Sequence, residues 1–202
     1  MSAPGRAGRI VTIPNLISIA RLACVPLFLW LLLSEDRPVA AAVLLGVLGA
    51  TDWVDGWIAR HFDQASDLGK VLDPTADRVL LVAAAVALLV DGRIPLWVGW
   101  VVLAREVVIS IAVLVLGAVG ARRIDGQWAG KAGTLALMFA LPGFLLADSV
   151  GDGAGRTLLL FATWVFTIGG LALSYWATAC YVPLARRALR EGRADRHVGA
   201  VR

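Results

Sequence analysis

The sequence predicts an all-α integral membrane protein built from six transmembrane helices. Hydrophobic residues make up 59% of its 202 positions, more than a soluble domain of this size needs to fill a core. They gather into runs of about twenty, the length that crosses about 30 Å of hydrocarbon at about 1.5 Å per residue. Between the runs lie short connectors rich in Gly, Pro, Asp and Ser, the chemistry of turns and helix ends. No linker, composition shift or repeat divides the chain. A single domain over 1–202 is expected, with about 14–182 in the membrane and 183–202 a basic cytosolic tail.

The first span is expected over Pro14 to Leu33. Arg6 and Arg9 ahead of an apolar run resemble a signal peptide, but Arg21 interrupts the run and no small-residue cleavage site follows Leu33, so the segment belongs to the mature protein. After "SEDRP" the second span runs from Pro38 to Ile58. After "ARHFDQASDLGK" the third runs from Val71 to Val90. "DGRIP" opens the fourth, Pro95 to Val119. "GARRIDGQWAGK" precedes the fifth, Gly133 to Ala147, which is shorter than a crossing, so its true ends lie further out. "DSVGDGAGR" leads to the sixth, Arg156 to Val182. The tail "ARRALREGRADRHVGAVR" is expected to begin as a basic interfacial helix and to fray into disorder.

Charge sets the orientation. Of the 19 basic residues only Lys70 and Lys131 are lysines, and against 15 acidic residues they leave a formal charge of +4. Fifteen fall on the side of the two termini and of the second and fourth connectors. Arg37, Arg93 and Arg156 lie opposite, and Arg105 is mid-span. By the positive-inside rule both termini and the aspartate-rich second connector are cytosolic. In such a chain the basic excess reports topology and contact with anionic lipid, not a nucleic-acid partner. The bias to Arg, Ala and Gly points to a GC-rich bacterial genome, and hence to a multi-pass protein of the cell membrane. Cys24 and Cys180 sit singly in apolar runs without metal-ligand spacing. Tryptophans near the span ends suit an interfacial belt.

The stretch "TDWVDGWIARHFDQASDLGKVLDPTADRVLL", Thr51 to Leu81, is where function concentrates. Asp52 and Asp55 are spaced i,i+3 and Asp73 and Asp77 i,i+4, so each pair shares one helix face. The pairs end one span and begin the next, and the turn can bring all four together. Asp73 as a helix cap before Pro74 would explain one carboxylate. It does not explain four, because an ionised residue within a span costs about 2.5 to 3.5 kcal/mol and crowded like charges repel. A cationic partner is therefore expected. Carboxylate oxygens with no His or Cys in the motif favour Mg²⁺ or Mn²⁺. Two ions suit four carboxylates, as in the two-metal clamp of phosphoryl transfer. Gly56 lets a ligand approach the backbone beside Asp55, and Arg60 is placed to meet a phosphate bidentately.

Together Asp52, Asp55, Gly56, Ala59, Arg60, Gly69, Asp73 and Asp77 spell D-x2-D-G-x2-A-R-x8-G-x3-D-x3-D. This pattern resembles the signature of the CDP-alcohol phosphatidyltransferase family, with all eight defining positions present. The likeness extends to "TIPNLISIARLACVPLF" and "GKVLDPTAD" and thins beyond Arg105-Glu106. The resemblance implies that an acceptor hydroxyl attacks the phosphate carrying diacylglycerol in CDP-diacylglycerol and expels CMP. It implies metal ligation by Asp52, Asp55, Asp73 and Asp77, with Asp77 also the general base. Gly56, Arg60, Ser66, Asn15 and Ser18 would contact the CDP moiety, at the cytosolic end of the second and third helices. A homodimer is implied as well.

Two acceptors fit. Glycerol-3-phosphate would give phosphatidylglycerophosphate, and phosphatidylglycerol would give cardiolipin. Glycerophosphate enzymes of this family typically carry G-K-x-K-T where the fifth span begins. This chain has "GKAGT", keeping Lys131 but placing Gly133 where the second lysine would stand. A phosphomonoester carries nearly two charges and a phosphodiester one, so a missing cation favours phosphatidylglycerol. Arg105, Lys131, Arg122 and Arg123 are the candidates for the acceptor phosphate, with Glu106 a neutralising neighbour of an arginine. Three other readings fit less well. A prenyltransferase places its aspartate motifs on distant helices, a cation carrier needs acids at several depths on several spans, and an aspartyl protease has no use for Arg60 or a second aspartate pair.

Overall fold

The computed structural model describes the backbone of residues 13–61, 69–118 and 128–199 and the side chains of residues 15–51, 72, 74–112 and 129–180. The described backbone is all-helical: α1 Ile13–Leu33, α2 Pro38–His61, α3 Gly69–Val90, α4 Leu96–Ala118, α5 Trp128–Ser149 and α6 Ala154–Gly199. Short connections make successive helices antiparallel. One end of the bundle therefore gathers the start of α1, the end of α2 and the starts of α3 and α5. This is called the acidic end below.

Among the described residues three helices are long and apolar enough to cross a membrane, Asn15–Leu33, Ala129–Ser149 and Ala154–Cys180, and Pro38–Thr51 is a shorter apolar helix. α5 runs from Trp128 to Ser149, its ends further out than Gly133 and Ala147 as its length required, and Gly133 packs closely on α6. One boundary differs from expectation. The tail is helical to Gly199 instead of frayed, and its Ala, Leu, Arg and Glu are all good helix formers. α3 starts at Gly69, so Pro74 lies in its second turn and Asp73 is inside the helix rather than its cap.

The core draws on all six helices. Phe28 and Leu32 of α1, Leu45 of α2, Leu80, Leu81 and Leu88 of α3, Val98 of α4 and Leu137, Leu141 and Leu145 of α5 are almost wholly buried, and Leu171 of α6 joins them. α3 packs on α1, α4 and α5, and α5 packs on α2, α3 and α6. Opposite the acidic end, Arg93 joins two turns of chain. Its Nη2 donates to Asp36 Oδ1 at 2.9 Å, and its Nε pairs with Asp91. The Asp91 hydrogen bond, followed by the charges of Asp91, Asp36 and Asp148, raises the proton affinity of the guanidinium against the opposing pull of burial. Both adjoining turns hold a residue at positive φ, Asp36 at 46° and Gly92 at 72°. Only glycine adopts the latter at no steric cost. Trp97 stacks on Trp164 at 5.7 Å between centroids and Phe144 meets Trp164 edge-on at 5.5 Å, tying α4 and α5 to α6.

Candidate active site

The acidic end is assembled by helix termini. α2 runs on to His61, so Asp52, Asp55, Gly56 and Arg60 all lie in its last three turns. α3 begins at Gly69 and carries Asp73 and Asp77 in its first three turns. The connector of residues 62–68, with Ser66, lies outside the described residues, as do Arg122, Arg123 and the side chains of Asp52, Asp55, Gly56, Arg60 and Asp73. The helix registers put both aspartate pairs at one end of the bundle.

The side chain of Asp77 is among the described residues. Its side chain is 17% exposed, open enough to meet a small group, and its Oδ1 accepts a hydrogen bond from Nη1 of Arg21, whose side chain is entirely buried. Arg21 belongs to a polar stripe on α1. Asn15, Ser18 and Arg21 follow at i, i+3 and i+6, and each is only 1% exposed. The stripe continues as Val25, Phe28 and Leu32, so the helix face that packs into the core becomes polar only at the acidic end. Asn15 and Ser18, expected from the sequence to contact a nucleotide, are thus buried side chains at the acidic end of α1. Arg21, counted with the basic residues that set the cytosolic side, is a buried part of this face. Its signal in the sequence was its spacing from Asn15 and Ser18, together with the cost of a charge inside an apolar run. Arg78, counted with the same cations, donates from Nη1 to Ser110 Oγ of α4 at 3.2 Å.

A second polar cluster lies deeper, between α4 and α5. Arg105 and Glu106 are 3% and 4% exposed and pair through Nη1 and Oε1. Arg105 Nη2 donates to Thr134 Oγ1 at 2.6 Å, and Thr134 Oγ1 donates to the Gly130 carbonyl at 3.1 Å. Arg105 Nε and Glu106 Oε2 are buried and lack a hydrogen-bond partner among the described residues. The cluster retains one donor and one acceptor to offer, which a buried polar group does not leave unused without cost. Lys131 stands exposed three residues before Thr134, so Arg105 and the basic start of α5 are neighbours.

Gly133 does not face these cations. It is buried against α6, where an added Cβ would come within 2.2 Å of Ser174 Oγ and 2.8 Å of the Gly170 carbonyl. A Cβ added at Gly170 would in turn lie 3.0 Å from the Gly133 carbonyl, a close approach that only small residues permit. The glycine at this position is explained by helix packing, and a lysine would enter the α5–α6 contact instead of the acceptor site. Gly133→Lys is therefore expected to destabilise the protein by about 1 to 3 kcal/mol or more. Thermal unfolding in detergent checks this, with activity falling alike for every acceptor. A variant as stable as the parent would show that α6 moves aside.

Comparison with known proteins extends the likeness beyond the motif. The family described as CDP-alcohol phosphatidyltransferase matches residues 11–182. A cardiolipin synthase (CMP-forming) of Streptomyces coelicolor is 40% identical over 187 residues, covering 90% of this chain and 86% of that protein. A putative cardiolipin synthase of Mycobacterium tuberculosis is 32% identical over 193 residues, covering 93% and 91%. A CDP-diacylglycerol–glycerol-3-phosphate 3-phosphatidyltransferase of Bacillus subtilis is 34% identical over 167 residues, covering 76% and 86%.

Proposed function

Because this chain belongs to the CDP-alcohol phosphatidyltransferase family, and is an enzyme of that class, we propose that it transfers the phosphatidyl group of CDP-diacylglycerol to phosphatidylglycerol, giving cardiolipin and CMP. The observation that carries the chemistry is the placement of the eight-residue motif. Its two aspartate pairs lie on helix termini that open toward one end of the bundle, and Asp77 is held by a buried arginine.

The donor set is hard carboxylate oxygen, and the helix ends gather more negative charge than Arg21 alone offsets, which fits a divalent cation. Asp52, Asp55, Asp73 and Asp77 would hold two Mg²⁺ or Mn²⁺ ions. When bound, the ions neutralise charge on the diphosphate and on the leaving CMP. The protein supplies position and proton transfer. Gly56, Arg60, Ser66, Asn15 and Ser18 hold the CDP moiety. Asp77 takes the proton of the acceptor hydroxyl as its oxygen forms a bond to the phosphorus carrying diacylglycerol. The bond from that phosphorus to the CMP oxygen breaks, and CMP leaves with the electron pair.

Arg105, Lys131, Arg122 and Arg123 would receive the acceptor phosphate. Arg105 already carries Glu106 as a counterion, so the pair adds little net positive charge, which suits a singly charged phosphodiester. The higher identity to the Streptomyces cardiolipin synthase points the same way. Glycerol-3-phosphate is the second reading, favoured by the likeness to the Bacillus enzyme. In the complete arrangement six spans cross a bacterial cell membrane, both termini and the site face the cytosol, and two copies associate as a homodimer.

Offering the two acceptors separately to purified protein with CDP-diacylglycerol and Mg²⁺ tests the assignment. CMP release is expected to be faster with phosphatidylglycerol by roughly tenfold or more, a difference of about 1.4 kcal/mol in transition-state binding. The reverse preference would assign the glycerophosphate reaction instead.

A further inference from the structure

The face of α4 that packs into the core changes character along its length. Val98 and Val102 are almost wholly buried, and the next residues on the same face, Arg105 and Glu106, are nearly as buried but charged. Arg105 reaches across to α5, where its Nη2 donates to Thr134 Oγ1. That bond fixes the depth of the pair. Gly49 of α2 packs on Met138 of α5, and a Cβ added at Gly49 would lie 3.2 Å from the Met138 Cβ. About one turn from this contact toward the acidic end come Asp52 on α2 and Thr134 on α5, so the Arg105 guanidinium is level with the first motif aspartate. Glu106 stands one turn of α4, about 6 Å of helix rise, deeper than Ser110, whose hydroxyl meets Arg78, the sequence neighbour of Asp77.

We propose that Glu106 binds the non-reacting hydroxyl of the acceptor's glycerol unit and so selects acceptors that carry it. The inference rests on the reaction proposed above only in taking a glycerol-bearing acceptor, and the unused hydrogen-bonding capacity of the buried pair selects the ligand group. Glu106 Oε1 is occupied by Arg105, while Oε2 is buried and has no partner among the described residues. A carboxylate oxygen in that position needs a donor, since a bare buried charge costs more than a bare neutral group. The acceptor phosphate does not serve, because it offers only acceptor oxygens and repels a carboxylate. A hydroxyl does, and its hydrogen bond to an ionised oxygen is of the stronger, charge-assisted kind. Arg105 Nε, likewise buried and without a partner among the described residues, supplies the complementary donor for a phosphate or hydroxyl oxygen. One donor beside one acceptor is the complement of a headgroup that carries a phosphate beside an alcohol. The hydroxyl that attacks phosphorus belongs to Asp77, nearer the acidic end, which leaves Glu106 the hydroxyl on the middle carbon. Phosphatidylglycerol and glycerol-3-phosphate both possess it, so the role holds for either acceptor.

Acceptor analogues that lack the middle hydroxyl provide the test. Phosphatidyl-1,3-propanediol keeps the phosphodiester and terminal hydroxyl of phosphatidylglycerol, and 3-hydroxypropyl phosphate keeps the phosphate and terminal hydroxyl of glycerol-3-phosphate. With the unaltered protein, CDP-diacylglycerol and Mg²⁺, kcat/KM for the productive acceptor is expected to exceed that for its analogue by about 10- to 100-fold, the worth of a hydrogen bond to a charged group. Titration of the same compounds into detergent-solubilised protein reads the preference as affinity, without turnover. Glu106→Gln keeps the shape and leaves a neutral hydrogen bond, so the preference should shrink by about threefold to tenfold through a loss confined to the hydroxylated acceptor. A Glu106 that only holds Arg105 in place would lower both members of a pair alike, and that result would overturn the proposal. So would equal kcat/KM and equal affinity within each pair for the unaltered protein, a comparison that needs no variant to fold. A preference found only in the glycerol-3-phosphate pair would support the role of Glu106 while reversing the acceptor assignment. A preference in affinity without CMP release would support it while removing the proposed reaction.

Discussion

Asp77→Asn is expected to lower the rate of CMP release by at least about 10³-fold, within the range lost when a positioned general base is removed. The substitution conserves shape and removes two capacities at once, a proton acceptor and a charge for metal. Asp77 is the motif aspartate whose side chain is described, partly open and bonded to Arg21. Its carboxylate is therefore oriented before substrate arrives, and an amide in the same place can be oriented but cannot take the proton. Donor affinity, measured by titration, should fall far less than kcat. A residual rate within about tenfold of the parent would exclude Asp77 as the base.

Arg21→Met should be the most destabilising single change outside the apolar core. Breaking a buried pair by removing one partner costs about 3 to 5 kcal/mol. Arg21 is fully buried, but Asp77 keeps 17% exposure, so water relieves part of the stranded charge and the lower figure is expected. Methionine retains length and packing, which isolates the charge. Thermal unfolding in detergent measures the loss. Arg21→Lys should recover part of both stability and kcat, since it restores the cation but not the geometry of the fork. In the double variant with Asp77→Asn the stability losses should be clearly less than additive, because both substitutions delete one interaction. Additive losses would mean that the two side chains are not coupled.

Much of this architecture was readable from the residues. Pro38, Gly92 and the run "DSVGDGAGR" punctuate the chain where helices end, because turn chemistry is local. The motif Asp52 to Asp77 was legible for the same reason, since both halves are helix-end patterns one connector apart. Glu106 as the counterion of Arg105 was also foreseen, the two being adjacent in sequence. What escaped depends on distant contacts. Arg21 meets Asp77 across 56 residues, and its place in an apolar run beside Asn15 and Ser18 marks it as unusual without naming that partner. Gly133 reads as an absent lysine until α6 is laid against it, when it becomes a packing residue. The apolar cavity between α2, α5 and α6 is lined by residues that only the packing of the three helices brings together. The acceptor candidates Arg122 and Arg123, and Ser66 on the donor side, lie outside the described residues.

The most direct measurement is CMP formation by purified protein supplied with CDP-diacylglycerol and phosphatidylglycerol, first with Mg²⁺, then after EDTA, then with Mg²⁺ restored. The account predicts one CMP per cardiolipin formed, release that stops on chelation and recovers when the ion returns. CMP and cardiolipin formation that persists undiminished in EDTA would contradict the carboxylate site. So would a folded, monodisperse protein that releases no CMP with either phosphatidylglycerol or glycerol-3-phosphate.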